Sequence, residues 1–337
     1  VDDQALSSAI GTIMPDMFKV SAADVIDALP EHAKQAYFSK EWCLFTSQGC
    51  IYKCNFCAAT KGVKERFRDP DAFRDELACL ARQVKRYAGG RPNYEIYLSS
   101  LDGFQTPDKM EQVLQDVSTG FGDVGVYVPL RVLATAKCAV TTFQDDLDRL
   151  KRWRRYGLEC VGIGVDGDDD AVWARENKRH NKRSDIALAF DLLEAAGILP
   201  EAFMVIGLPG DDIRAMLRGA RASVRFARRG YRPRPYLGKA HAPGSKGWEE
   251  GGEIVDRFLA NPRFFRELEY AGLASPATHP DNAQRRAANV IFFSTVMALK
   301  VISPHGCSTQ PLVPTESTLL PDRILGRLWN RLMPMDR

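Results

Sequence analysis

No run of 18 residues in this chain is free of charged side chains, and its beginning, Val1-Asp2-Asp3-Gln4, has neither a basic segment nor an apolar one behind it. Membrane-spanning helices and a secretion signal are therefore not expected. The first residue is Val rather than Met, so the chain is expected to be trimmed or processed. Excess charge of one sign is lacking as well: 46 Lys and Arg against 43 Asp and Glu leave +3, which by itself names no partner. Missing too are cysteines paired along the sequence, the mark of a small disulfide-held secreted domain. Of the eight cysteines, three are clustered, while Cys43, Cys79, Cys138, Cys160 and Cys307 stand singly, mostly in apolar segments. That usage fits a reducing compartment, and the cytoplasm is the expected location. The 337 residues have room for one α/β barrel with additions.

The clustered cysteines form Cys50-Ile51-Tyr52-Lys53-Cys54-Asn55-Phe56-Cys57, a C-x3-C-x2-C spacing directly after the apolar run Trp42-Cys43-Leu44-Phe45-Thr46. A structural zinc site wants four protein ligands, usually from two C-x2-C-like pairs, and no second pair follows. Three thiolates in so short a span suit a [4Fe–4S] cluster that keeps one iron open for an exchangeable ligand. A strand ending at Thr46, followed by the turn Ser47-Gln48-Gly49, puts these ligands on a loop at a strand's C-terminal end. Barrels of alternating strands and helices carry their active sites there.

The stretch from Gly49 to Cys57 resembles the cluster loop of the radical S-adenosylmethionine (SAM) enzymes, down to the aromatic residue before the third cysteine. The resemblance implies that Cys50, Cys54 and Cys57 hold the cluster and that the amino and carboxylate groups of SAM chelate the open iron. It implies that the reduced cluster donates one electron to the sulfonium, and that the 5′-deoxyadenosyl radical so released abstracts a hydrogen atom from substrate. Phe56 would lie against the adenine.

Strand and helix patterns alternate after the loop. Helices are expected over 72–87, from Thr106-Pro107 onward, over 145–156 and after Ser184, the last closed by Gly197. Strands are expected over 94–99, 125–130, 160–166 and 203–206, with a weaker sixth at 234–237. Arg131 then reads as a loop residue after the third strand. The alternation argues for a parallel sheet with crossover helices. It predicts an α/β fold, a partial (β/α)6 TIM-like barrel with a short N-terminal helical cap and a mainly helical C-terminal extension. The expected boundaries are 1–40 for the cap, with helices near 5–13 and 22–29, then 41–240 for the barrel. Residues 241–337 are expected to cover the barrel opening.

Three further segments extend the resemblance. Many radical SAM enzymes end the second strand in a Gly-Gly-Glu-Pro-like motif whose backbone meets the methionine of SAM. Here Ser99-Ser100-Leu101-Asp102-Gly103-Phe104 stands in that place, an acidic, aromatic-ended loop that resembles the branch with cobalamin-binding and methylthiotransferase-like members; it assigns a backbone role to Ser99 and Ser100 and leaves their side chains open. Next, Ile163-Gly164-Val165-Asp166-Gly167 with Arg175-Glu176-Asn177-Lys178-Arg179-His180 is similar to the fourth-strand signature of the oxygen-independent coproporphyrinogen oxidase and methylthiotransferase branches. By that match Asp166 contacts SAM, and Lys178 replaces the usual Arg, keeping the charge without the planar fork. The residue-level alternative makes Asp166 a helix N-terminal acid, and Lys178 and His180 solvated surface groups. Finally, Ile206-Gly207-Leu208-Pro209-Gly210 is similar to the element that lies beside the adenine.

Between 213 and 228, Arg214, Arg218, Arg221, Arg225 and Arg228 make one helical stripe and Ile213, Leu217, Ala220, Val224 and Ala227 another. The arginines read as the solvated face of an outer helix, or as a docking surface for an acidic electron donor such as a flavodoxin or ferredoxin, or for a nucleic acid. In the last third, Cys307 sits in a turn, either as a small packing residue or as a thiol that returns a hydrogen atom to a substrate radical. No second C-x2-C group marks an auxiliary cluster, and the 40 residues before the barrel are too few for a cobalamin domain.

The expected function is that of a radical SAM enzyme acting on a small polar metabolite. Modification of RNA or of a peptide is the enzymatic rival. A non-enzymatic iron–sulfur sensor or binding module is the rival of another class.

Overall fold

The computed structural model of the chain describes residues 18–38, 43–57, 59–92, 94–208, 210–238, 246 and 282–305. Two short helices, α1 (Ala23–Ala28) and α2 (Glu31–Phe38), lead into strand β1 (Cys43–Phe45). Of the two cap helices expected, the one near 5–13 lies outside the described residues.

A six-stranded sheet carries the fold. Its strands after β1 are β4 (Ile96–Ser99), β5 (Leu130–Ala134), β6 (Leu158–Gly164), β7 (Leu199–Ile206) and β8 (Arg232–Leu237), in the order β1-β4-β5-β6-β7-β8. Cys43 pairs with Tyr97, Ile96 with Leu130 and Glu201 with Arg232, each pair in parallel. A separate clip, β2 (Ser47–Gln48) antiparallel to β3 (Arg66–Phe67), closes the base of the cysteine loop. This is the parallel α/β architecture expected, sixth strand included.

The helices between strands follow from local chemistry. In α3 (Pro70–Ala88) the Asp69 carboxylate accepts from the backbone N–H groups of Asp71 (3.0 Å) and Ala72 (3.1 Å), and Pro70 needs no partner at a first-turn position. Its stripe of Phe73, Leu77, Leu80, Ala81 and Val84 is buried, each large side chain stabilising by roughly 1.5–3 kcal/mol. Helix α4 (Pro107–Gly122) buries Met110, Leu114, Val117 and Phe121 in the same way. Helices α5 (Ala136–Phe143) and α6 (Leu147–Arg155) present Phe143 and Trp153 to Phe104, with ring centroids 5.0–5.6 Å apart in edge-to-face pairs.

The third strand lies further along than the sequence suggests. Val126 and Val128 have strand propensity, but Gly125 is left-handed (φ 72°) and Pro129 has no N–H to give, so the strand begins at Leu130. Arg131 is thereby a buried strand residue, its guanidinium carbon 5.2 Å from the Tyr97 ring centroid, rather than a loop residue.

The chain divides into two compact units. One comprises residues up to Ile51, Gly62–Gly162 and Ala187–Pro200; the other comprises Tyr52–Lys61, Ile163–Ile186 and the residues from Glu201. Within the second, α7 (Asp170–Arg175) follows β6, and the α8 helix (Arg183–Ala195) runs on into the first. Helix α9 (Ile213–Arg228) and the C-terminal α10 (Asn282–Ile302) belong to the second and share a core of Met216, Ala227, Ala288, Phe292, Val296 and Leu299, with Ile206 and Leu237 from the strands. The inward stripe of α9 is Ala215, Met216, Gly219, Ala222, Ser223, Phe226 and Ala227, with Ala220 and Val224 packed beside it; of the apolar stripe expected, only Ile213 and Leu217 are exposed. Among the described residues no helix is long and apolar enough to cross a membrane.

Candidate active site

The cysteine loop leaves β2 at Gly49, whose φ of 116° and tight packing suit only glycine: a Cβ there would lie 2.6 Å from the Lys64 carbonyl oxygen. Cys50, Cys54 and Cys57 form no disulfide and stand at half-buried positions. The Cys57 sulfur accepts from the Ala59 N–H at 3.4 Å, and the Lys61 ammonium donates to the carbonyl oxygens of Cys57 (2.7 Å) and Cys54 (3.4 Å). Among the described residues no three Cys, His, Asp or Glu side chains converge as a ready-made site for a single metal ion. The donor set nevertheless fits an iron–sulfur cluster, whose thiolates bind different irons and so stand further apart than ligands of one ion. An N–H aimed at a thiolate sulfur and a nearby ammonium both favour an anionic cluster.

In the first unit, a polar pillar supports the Cys50 end of the loop. Glu65 accepts from the hydroxyls of Ser47 (2.5 Å) and Ser100 (2.7 Å), and Gln105 accepts from the Ile51 N–H at 2.8 Å. Burial pushes the Glu65 carboxyl above its ordinary pKa, against the pull of the Ser47 and Ser100 hydroxyls. Ser100 is buried, with its side chain engaged by Glu65, and the Ser99 carbonyl accepts from the Thr46 hydroxyl at 3.1 Å. Just beyond, Asp102 is fully buried and accepts from Thr135 through both the backbone N–H (3.2 Å) and the hydroxyl (2.9 Å). Desolvation lifts its pKa to about 6, opposed by hydrogen bonds from Cys138 and Thr135.

In the second unit, the segment after α7 grips the loop. The Asn55 N–H donates to the Glu176 carbonyl at 2.9 Å and its amide to the Arg175 carbonyl at 2.8 Å, while the Asn177 amide donates to the Lys53 carbonyl at 2.9 Å. Asn177 adopts a left-handed backbone (φ 53°), which Asn tolerates better than most residues. Sequence reasoning did not single out this strap; an Asn at each end was the available signal. Tyr52 of the loop stacks on His180, ring centroids 3.7 Å apart.

Asp166 and Lys178 form a buried ion pair, and the Lys178 ammonium also donates to the Gly164 carbonyl at 2.9 Å. Lys178 is thus interior rather than solvated, and its nitrogen lies 5.9 Å from the centre of the Phe56 ring. Three residues near this turn are left-handed, Asp166 (φ 46°), Gly167 (φ 85°) and Asp168 (φ 50°); the Asp166 carbonyl is held by the Trp173 indole N–H at 2.7 Å. Phe56 packs with Val205 against Val172, Leu208 and Ala215. The Leu208 N–H donates to Asp211 at 2.9 Å, and Asp211 also pairs with Arg175. Gly207 is left-handed (φ 75°), whereas the Ile206 side chain turns into the core shared with α9 and α10 and brings only its backbone to this end of the strand. Cys307 lies outside the described residues.

Comparison with known proteins adds the following. The model of the radical SAM superfamily matches residues 44–218, just over half of the chain. No curated protein matches the sequence. Among solved structures, the chain is similar to the radical S-adenosylmethionine methyltransferase TsrM from Kitasatospora setae, with 16% identity, covering 64% of this chain and 39% of that one, at a TM-score of 0.48. It is similar to the cobalamin-dependent S-adenosylmethionine radical enzyme OxsB, with 16% identity over 87% of this chain and 36% of that one, at a TM-score of 0.45. Methylornithine synthase PylB gives 12% identity over 64% and 63% of the two chains, at a TM-score of 0.43. The chain spans about two fifths of the length of the first of these. By the family match over its cysteine loop and the strands that follow, the chain belongs to the radical SAM superfamily.

Proposed function

We propose that this chain is a radical SAM enzyme that acts on a small polar metabolite. The observation that carries the reading is the loop of three cysteines outside any disulfide at the head of the matched segment, clipped at its base by β2 and β3 and strapped through Asn55 and Asn177. Cys50, Cys54 and Cys57 would hold a [4Fe–4S] cluster. Such a cluster, when reduced, supplies the electron that cleaves SAM to methionine and a 5′-deoxyadenosyl radical. The chain's own residues orient and shield. Phe56 and Leu208 offer an apolar surface for the adenine, and Lys178 pairs with Asp166 beside them. Ser99 and Ser100 present backbone at the end of β4.

A small substrate is favoured over RNA because two of the five arginines on α9 are spent on internal pairs, Arg218 with Asp169 and Arg225 with Asp168, each at 2.7 Å. What remains of the stripe suits at most an acidic redox protein of the flavodoxin or ferredoxin kind. We further place the chain in the cytoplasm and assign residues 1–40 to a cap, 41–240 to the barrel and 241–337 to an extension over its opening.

The test is anaerobic reconstitution with iron and sulfide, addition of SAM and a strong reductant, and an assay for 5′-deoxyadenosine beside a Cys50/Cys54/Cys57→Ala triple variant. Deoxyadenosine that depends on the three cysteines supports the reading. An intact cluster with no deoxyadenosine, in repeated trials with varied small metabolites, overturns it in favour of a sensor or binding module.

A further inference from the structure

Strands β7 and β8 present two faces. Met204, Ile206 and Leu237 point toward the helices, where Met204 and Ile206 approach Gly219 of α9. The opposite face carries three rungs fixed by register: Glu201 beside Arg232, Phe203 beside Arg234 and Val205 beside Tyr236. The apolar face of a strand pair turned away from its helices is usually filled by branched aliphatic residues. Here five of six positions are charged or aromatic, a lining that suits a ligand with both a ring and a charge.

The details give that ligand a chemistry. Phe203 and Tyr236 stack with centroids 5.8 Å apart and planes 9° apart, and Tyr236 remains 40% exposed, so one aromatic surface is left open. The Arg234 guanidinium carbon lies 5.7 Å from the Phe203 ring centroid. Its Nε lies 2.7 Å from Oε1 of the wholly buried Glu201, an ion-pair contact in which neither atom meets hydrogen-bond geometry, so the guanidinium is drawn to a carboxylate that cannot itself reach solvent. The Arg234 side chain is 16% exposed, so its guanidinium is not sealed from solvent. A guanidinium whose Nε edge lies against a carboxylate can present its Nη pair as a fork that matches a second carboxylate. Val205, the rung partner of Tyr236, packs in the same cluster as Phe56, which carries the wall up to the residues assigned above to the adenine.

We propose that this face of β7 and β8 is the substrate wall, and that it takes an aromatic or heteroaromatic carboxylic acid, the ring on Tyr236 and the carboxylate on Arg234. This names the substrate class and rests on the radical SAM reading for its use in catalysis, though not for binding.

The test is a ligand-observed NMR titration of the full-length, anaerobically reconstituted chain with three probes: 2-naphthoate, 2-naphthol and cyclohexanecarboxylate. The naphthoate is expected to bind about tenfold more tightly than either probe that lacks the charge or the ring. Arg234→Gln should weaken naphthoate about tenfold, with Arg234→Lys recovering only part of the loss because it lacks the fork. Tyr236→Leu, at an exposed position that leaves folding intact, should abolish the preference for naphthoate over cyclohexanecarboxylate. Equal affinity for the three probes, no binding of naphthoate, or a dissociation constant that neither variant changes overturns the wall. Deoxyadenosine formation by the unsubstituted chain is measured separately. Its absence alongside naphthoate selectivity removes the radical reading and leaves the wall, and its presence without selectivity does the reverse.

Discussion

The ammonium of Lys178 closes on the carboxylate of Asp166 inside the protein, the two residues being only 5% and 6% exposed. Removing one partner of such a pair strands a buried charge, which typically costs about 3–5 kcal/mol, whereas replacing both with apolar residues costs far less. Lys178→Met should therefore lower stability in urea by that amount, and Lys178→Met with Asp166→Leu should regain most of it. Equal losses in the single and double variants would show that the pair is not what holds this turn.

Asn177 ties the segment after α7 to the cysteine loop by one amide hydrogen bond while holding a left-handed backbone. Asn177→Gly keeps the backbone freedom and removes the bond, at about 1 kcal/mol; Asn177→Ala adds a conformational cost of about 1–2 kcal/mol. Both should speed loss of iron from the reconstituted protein to a chelator, alanine more than glycine. Unchanged release in both would mean the strap does not support the cluster loop.

Asp102 gives a pH signature. Burial holds its carboxyl at about 6, above the ordinary 3.8, so the folded chain keeps a proton that the unfolded chain releases between those values. The stability tied to that proton is present in full below about pH 4 and is lost as pH rises through about 6. Denaturation of the unsubstituted chain and of Asp102→Asn across pH 4–7 should show their difference in stability changing by on the order of 2–3 kcal/mol, in favour of the acid side. A difference independent of pH would place the Asp102 carboxyl at its ordinary value.

Gly49 stands where the chain leaves the clip for the cysteine loop. Gly49→Ala meets both a positive φ and the Lys64 carbonyl, and should cost about 1–3 kcal/mol together with a clear fall in iron bound per chain. Normal iron content and stability would show that this turn relaxes freely.

Much of this was readable from the residues. The cysteine spacing, the Pro and Asp helix starts and the alternation of strand and helix are local signals, and they led to the right fold. Three features were not readable, for physical reasons. Arg131 looks like a loop residue because an arginine in a parallel strand is tolerated only where a ring such as Tyr97 receives it, and that partner is distant in sequence. The inward face of α9 was legible only in part: Ala220, Val224 and Ala227 pack inward, but Gly219 and Ser223 are buried where Ile213 and Leu217 are not, because close helix approach as well as hydropathy sets that face. Glu65 gave no signal at all, since its partners Ser47 and Ser100 come from two different strands' ends.

The two-residue clip of β2 and β3 has a further consequence, for the order of assembly. Bringing the ends of a flexible segment of this length together costs on the order of 2–3 kcal/mol in chain entropy. Because the ladder between Ser47 and Phe67 and between Gln48 and Arg66 already joins those ends, iron arriving at the thiols meets a ring rather than an open strand. Loading then has only the interior of the ring to arrange, and a chain stripped of its iron retains the outline into which the metal can return.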